Sequence, residues 1–78
     1  MTYVVYVEVV MDKDVVNWDY DTIETIVSKG KLSYDEVIEK ALANTLNFLE
    51  EVYGMGENVV KYTKAVVFNV VTDDVFKD

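Results

Sequence analysis

The sequence predicts a single α+β domain, residues 1–78, in which a two- or three-stranded sheet packs against one long and one short helix. Valine- and tyrosine-rich stretches, which are typical of strands, lie near both ends of the chain. Between them lies a long stretch of helical periodicity that begins at a capping sequence and ends at a glycine. The 78 residues include no cysteine and no histidine, so neither a disulfide nor an ordinary zinc site stabilises the domain. Its stability has to come from a dense core, from association, or from both.

Residues 2–11 predict the first strand. Its two faces are both largely apolar, which differs from a strand with one face in water. One face carries Tyr3, Val5, Val7, Val9 and Met11, and the other carries Val4, Tyr6, Glu8 and Val10. Glu8 is the one acidic residue inside this strand, and we interpret it as the guard charge of a sheet edge.

The stretch from residue 12 to residue 29 predicts a turn followed by a short helix. Residues 12–14 form the turn, and residues 15–18 either return as a short hairpin strand or pack on the core as a loop. Residues 19–29 form the helix, which Asp19 or Asp21 caps and Gly30 ends. Its apolar stripe consists of Ile23, Ile26 and Val27.

Residues 33–54 predict the long amphipathic helix. Ser33 and Glu36 fit a capping box, and Gly54 supplies a left-handed stop. Thr45 lies on the apolar side, where we expect its hydroxyl to bond back to a carbonyl one turn earlier. The apolar half of the helix consists of Tyr34, Val37, Ile38, Ala41, Leu42, Leu46, Phe48, Leu49, Val52 and Tyr53.

Residues 59–72 predict the last strand, with Asp73 and Asp74 ending it and residues 75–76 folding back over the core. From Val66 onward the even-numbered face, with Phe68 and Val70, is the more apolar one, and we expect it to meet the helices. The resulting order is β(β)ααβ. Without the hairpin strand the first and last strands run antiparallel. With it, they run parallel and side by side.

One face of such a small sheet stays uncovered, because both helices pack on the other face. The uncovered face exposes Val4, Tyr6 and Val10 or the apolar residues opposite them. An apolar surface of this kind, or an unpaired strand edge, predicts a homodimer or a contact with a partner protein.

The charge of the chain limits its partners. Fifteen acidic residues against seven lysines give a net charge of −8, which repels nucleic acids and anionic membranes. We therefore expect no direct nucleic-acid or membrane binding, and a basic protein surface as partner. No apolar run approaches the length of about 20 residues that spans a bilayer. The expected location is the cytoplasm, or the host cytoplasm if the protein is viral.

The residues that usually support catalysis are missing. Without histidine and cysteine the commonest general base and the strongest nucleophile are absent, and the three glycines form no phosphate-binding loop. The aspartates at positions 12, 14, 19 and 21 fail the calcium-loop pattern, because Val16 occupies the third ligand position. We interpret them as turn and cap residues, so the protein is predicted not to be an enzyme and to have no catalytic, cofactor-binding or metal-binding residues. A metal-dependent enzyme that uses aspartates remains a third hypothesis.

A partner-binding surface is predicted from acidic and aromatic side chains. Glu50 and Glu51 lie in the last turn of the helix, where its dipole favours cations. Trp18 suits an interface, with a core anchor as the alternative. The full set is Glu36, Glu39, Glu50, Glu51, Asp12, Asp14, Asp19, Asp21, Trp18 and Tyr20.

In size, charge and lack of catalytic residues the chain resembles the small acidic proteins with which phages and mobile elements block host nucleic-acid enzymes. The resemblance is one of composition, without a shared motif. It implies a non-catalytic protein-binding module, in the sharpest form an inhibitor that mimics the phosphate charge of DNA and occupies the basic nucleic-acid-binding surface of a host enzyme. The alternative is a small structural subunit that self-associates through an apolar sheet face or edge.

Overall fold

Strand, strand, helix, strand is the order of the elements in the computed structural model, which describes residues 1–72. The elements are β1 (Thr2–Met11), β2 (Tyr20–Val27), α1 (Tyr34–Tyr53) and β3 (Val60–Val71), with one 3₁₀ turn, Glu57–Val59, before β3. The predicted α+β class, first strand, long helix and last strand are confirmed, with bounds within one residue. The expected stop at Asp73 and Asp74 and the return of residues 75–76 lie outside the described residues.

The three strands form one antiparallel sheet with β1 in the centre, in the order β2-β1-β3. Tyr3 lies between Ile26 of β2 and Val70 of β3, and pairing on both sides continues along β1 as far as Val9. Glu8 is therefore on the central strand, and its interpretation as the guard charge of a sheet edge is wrong.

The predicted short helix at residues 19–29 is also wrong, because most of this stretch forms β2. Ile23, Ile26 and Val27 do have helical spacing, which suggested the helix. Five of the eight residues in β2 are β-branched, however, and such side chains lose rotamer freedom in a helix and pack well on a sheet. Residues 15–18 form no strand and belong to the connection between β1 and β2.

β3 runs antiparallel to β1, as predicted for a chain in which residues 15–18 form no strand. Each short connection reverses the direction of the chain, and β2 takes the place of the predicted short helix, so the number of reversals stays the same. β2 and β3 consequently run parallel to each other on either side of β1, and α1 joins them across one face of the sheet.

One face of β1 forms the centre of the core. Its alternate residues have almost no exposed surface: Tyr3, Val5, Val7, Val9 and Met11. The helix meets them along one line of buried residues at four-residue spacing: Val37, Ala41, Thr45 and Leu49. The predicted apolar half of the helix is wider than this line, and four of its members are exposed: Tyr34, Phe48, Val52 and Tyr53. They are exposed because, within residues 1–72, no second helix covers the sides of α1.

The face of β3 that meets the helix is, over most of its length, the opposite of the predicted one. Ala65 and Val67 pack on the buried core, whereas Val66 and Phe68 are exposed on the other side of the sheet. A shift in register leaves Phe68 as an extra residue, and such a bulge exchanges the two faces of a strand. Beyond the bulge, Val70 lies on the helix side, as predicted.

The predicted ends of α1 are confirmed. The Ser33 hydroxyl accepts the Glu36 N–H at 3.2 Å, and the Glu36 carboxylate accepts the Ser33 N–H at 3.4 Å, which completes the capping box. Gly54 ends the helix in the left-handed conformation, with φ of 68°. The buried Thr45 hydroxyl donates to the Ala41 carbonyl at 2.9 Å, so the one polar group on the buried line is satisfied.

Shortening one side chain on the buried line of α1 tests this core. Leu49 is 1% exposed, and we expect Leu49→Ala to lower the free energy of unfolding by about 2–5 kcal/mol, because it leaves a cavity under α1. Leu46→Ala, on the half-buried side of the same helix, is the matched control and should cost clearly less. Urea unfolding of both variants measures the difference. Equal losses in the free energy of unfolding would contradict the deeper burial of Leu49.

Candidate functional site

Three segments of the chain meet at one end of the molecule: the last turn of α1, the connection between β1 and β2, and the 3₁₀ turn before β3. The Trp18 ring lies edge-on to Tyr53 in the last turn of α1, with 5.5 Å between ring centres. The Asp12 N–H donates to the Val59 carbonyl, at the end of the 3₁₀ turn, at 2.8 Å. These two contacts hold the β1–β2 connection against both the helix end and the 3₁₀ turn.

Carboxylates from all three segments lie at this end, termed the acidic end: Asp12, Asp14, Glu50, Glu51 and Glu57. Asp12 is half-buried and the other four are exposed. Within residues 1–72, those four carboxylates have no ion pair, and the last turn of α1 carries no cation. The acidic end therefore holds negative charge that the described part of the protein does not pair.

Asp12 also shapes the turn that follows β1. Its carboxylate accepts the Asp14 N–H at 3.0 Å, and its carbonyl accepts the Val16 N–H at 2.9 Å, which turns Val16 into the core. Positive charge is close on one side, because Lys13 and Lys61 line a shallow depression of about 280 Å³ together with both aspartates.

Asp19 differs from the other acidic residues of this connection because it is paired. Its carboxylate accepts one hydrogen bond from the Lys13 ammonium group and another, at 3.0 Å, from the Met11 N–H. The bond from Lys13, followed by that from Met11, lowers the pKa of the Asp19 carboxyl below its ordinary value of 3.8, against the opposing effect of lost hydration. Asp19 thus closes the connection between β1 and β2.

The structure separates the acidic residues that were predicted to form one face of α1. Glu39 and Glu51 lie on the same exposed line of the helix, about 18 Å apart for a rise of about 1.5 Å per residue. Between them on that line are the uncharged Ala43 and Asn47. Glu51 belongs to the acidic end, whereas Glu36 and Glu39 lie in the first two turns of the helix, where Glu36 completes the cap.

Trp18 and Tyr20 pack against the helix and the core. Tyr20 stacks on Phe48 with 5.9 Å between ring centres, and Phe48 meets Tyr53 edge-on at 6.3 Å. Trp18 and Tyr20 are half-buried, whereas Phe48 and Tyr53 are exposed. The four rings form one cluster beside the acidic end. The sequence did not indicate Phe48 and Tyr53 as surface residues, because their helical spacing assigned them to the core.

The face of the sheet opposite α1, termed the outer face, is uncovered within residues 1–72. Pairing of the strands places on it Thr2, Val4, Tyr6, Glu8 and Val10 of β1, Asp21, Ile23, Thr25 and Val27 of β2, and Tyr62, Lys64, Val66, Asn69 and Val71 of β3, with Phe68 in the bulge. Five large apolar members are between 46% and 74% exposed: Ile23, Val27, Tyr62, Val66 and Phe68. The sequence indicated the part from β1 and missed the parts from β2 and β3, which it assigned to a helix and to the core.

Asp21 lies on the outer face, in one row with Glu8 of β1 and Lys64 of β3. The Tyr6 hydroxyl lies 3.2 Å from the Asp21 carboxylate and 3.3 Å from the Glu8 carboxylate, to which it donates. Partial loss of hydration, followed by the hydrogen bond to Asp21, raises the pKa of Tyr6 above its ordinary value. The neutral phenol thus bridges two carboxylates on neighbouring strands.

Residues 1–72 contain no group of three acidic side chains placed to hold a metal ion, and no helix among them is long and apolar enough to cross a membrane. Comparison with known protein families, curated proteins and solved structures gives no match for this chain. Two features of the described surface are candidates for a functional site: the acidic end and the outer face.

The pairing of Asp19 with Lys13 predicts a pH effect. In an NMR titration we expect the Asp19 carboxyl to titrate below 3.8 and Lys13→Ala to return its pKa toward that value, because the bond from Lys13 is the largest cause of the shift. Lys61→Ala is the control and should leave the Asp19 pKa unchanged.

The same pairing has a defined consequence for stability. A carboxyl whose pKa is lower in the folded state stabilises the protein above its unfolded-state pKa, and this stabilisation is lost as the pH falls through the folded value. Asp19→Asn should therefore lower the urea midpoint at pH 6, and the difference from the unaltered protein should shrink at pH 2. A difference that is the same at both pH values would contradict the assignment.

Proposed function

We propose that this protein is a non-catalytic protein-binding module whose acidic end binds a basic surface on another protein. The observation that carries the proposal is the convergence of carboxylates from three chain segments, four of them exposed and without an ion pair within residues 1–72. Such carboxylates retain their charge for the lysine and arginine side chains of a partner, which speeds encounter and excludes acidic competitors.

The position of Glu50 and Glu51 supports this function because it opposes the stability of the fold. A negative charge in the last turn of a helix costs about 0.3–1 kcal/mol, and a lysine there is favourable. Local arrangements that lower stability are typical of binding sites, where function and stability compete.

In its sharpest form the partner is a nucleic-acid-processing enzyme, and the protein is an inhibitor that occupies the enzyme's nucleic-acid channel. The net charge of −8 and the absence of histidine and cysteine support this form. Glu36 and Glu39, farther along α1, supply a second group of charges for a channel that extends along the helix. Such a partner places the protein in the cytoplasm, or in the host cytoplasm if it is viral.

Binding and stability should respond in opposite directions to one substitution. Glu51→Lys places a cation in the last turn of α1, so we expect a higher thermal midpoint together with a loss of affinity of about tenfold or more for the basic partner. Glu39→Lys makes the same change of charge on the same line of the helix, three turns away. It should leave the thermal midpoint nearly unchanged and weaken binding less.

The partner is sought by capture from a cell lysate enriched for proteins that heparin retains. The protein and the Glu51→Lys variant are immobilised separately, and bound proteins are eluted by salt or by duplex DNA and identified by mass spectrometry. We expect a basic enzyme that only the unaltered protein retains and that both eluents release. Capture that is equal on both supports and insensitive to salt would overturn the proposal.

A further inference from the structure

We propose that the outer face is a dimer interface, on which a second copy of the chain packs sheet against sheet with its strands in the same direction. The two-fold axis runs along β1, so that β2 of one protomer lies over β3 of its partner. The dimer has four layers, in the order helix, sheet, sheet, helix. The acidic end lies outside this interface, so the inference is independent of the function proposed for that end.

The composition of the outer face supports burial. Tyr6 lies at its centre between Ile23 and Val66, its partners in register on the two neighbouring strands. These flanking residues are more than half exposed, as are Val27 and Phe68 nearby. Contiguous apolar surface drawn from three strands is typical of an interaction site, whereas single exposed apolar residues are ordinary.

The size of the face sets the expected strength of the dimer. The face is three strands wide, at a spacing of about 4.8 Å, and about nine residues long, at a rise of about 3.3 Å per residue. Its area is therefore about 400 Å². Two such faces fall among the interfaces that bury less than about 1,200 Å² in total, which is the class of weak and transient complexes. We therefore expect dissociation constants in the micromolar range.

The charged row of the outer face selects both the second copy and its orientation. Asp21, Glu8 and Lys64 lie side by side on β2, β1 and β3. An axis along β1 places Asp21 over the partner's Lys64, and Lys64 over the partner's Asp21, so two attractive pairs form. Glu8 lies at the axis and faces the partner's Glu8, and each copy has a Lys64 beside it in its own sheet, which offsets part of this like-charge contact.

The neighbouring rows match under the same operation. Ile23 meets the partner's Val66, and Tyr6 meets the partner's Tyr6, which joins the two apolar centres. An axis across the strands through Tyr6 would instead place the charged row over the row of Thr25, Val4 and Asn69, where Asp21 and Lys64 would be buried without an opposite charge. Pairing through the free edges of β2 or β3 would leave the outer face uncovered.

The dimer is tested by sedimentation equilibrium from about 5 to about 500 µM, across the range expected for a weak interface. We expect the mass to rise reversibly from that of the 9.0 kDa chain toward twice that value. Ile23→Glu should keep the protein monomeric, with Val66→Glu as a second variant. Val15→Glu is the matched control, because Val15 is 62% exposed and Ile23 60%, but Val15 lies in the connection between β1 and β2. Circular dichroism verifies that all three variants fold.

A monomer at every concentration, or a dimer that survives Ile23→Glu, would overturn the proposal, the second result by indicating association through a strand edge. Glu51→Lys should leave the dimer unchanged, and Ile23→Glu should leave capture of a basic partner unchanged. The failure of this inference is therefore distinguishable from the failure of the proposed function.

A charge exchange tests the orientation. Asp21→Lys and Lys64→Asp should each weaken the dimer by about tenfold or more, because each places like charges in contact across the interface. The double variant restores both attractive pairs, and its dissociation constant should return close to that of the unaltered protein. A double variant as weak as the single ones would overturn the parallel arrangement of the strands.

Discussion

β1 has to pair with two strands at once, and the rest of the structure depends on this constraint. Its backbone is bonded to β2 on one side and to β3 on the other, while its alternate side chains are buried under α1. β2 and β3 are edge strands that meet only through β1. A change of register in β1 would therefore misplace both of them, and would turn its buried residues to the other face.

The fold is one-sided, and this divides its surface into regions of different chemistry. Within residues 1–72 a single helix covers one face of the sheet, and the apolar residues on the other face of β1 are only half-buried. Acidic residues lie on the exposed side of α1 and around its end. The exposed apolar residues of the outer face and the carboxylates of the acidic end thus lie on separate parts of one small domain.

The features that the sequence predicted correctly are those that neighbouring residues decide. Ser33, Glu36 and Gly54 fix the ends of α1 through bonds within one turn of helix, and the run of valine and tyrosine residues in β1 is evident in the chain itself. β2 was missed because Ile23, Ile26 and Val27 fit a helix as well as a strand, and pairing with β1 decides between the two.

The errors in β3 and in the site have a common origin in contacts between distant residues. The face that β3 turns to the helix depends on the bulge at Phe68, which the register with β1 sets. Four acidic residues of the acidic end were predicted from the sequence, whereas Glu57 was missed, because the bond from Asp12 to Val59 brings its segment to this end. The exposed residues of β2 and β3 escaped prediction because their strand faces were assigned incorrectly.

The pairing of Thr2 with Val71 has a consequence for how the chain folds. β1 and β2 form a hairpin from nearby residues, but the second side of β1 finds its partner only after a large loop has closed, a step that slows folding. Until then the hairpin has an open edge of valine-rich backbone, which is a template for pairing with other chains. The strand that organises the native sheet is thus also the segment through which unfinished molecules are most prone to aggregate.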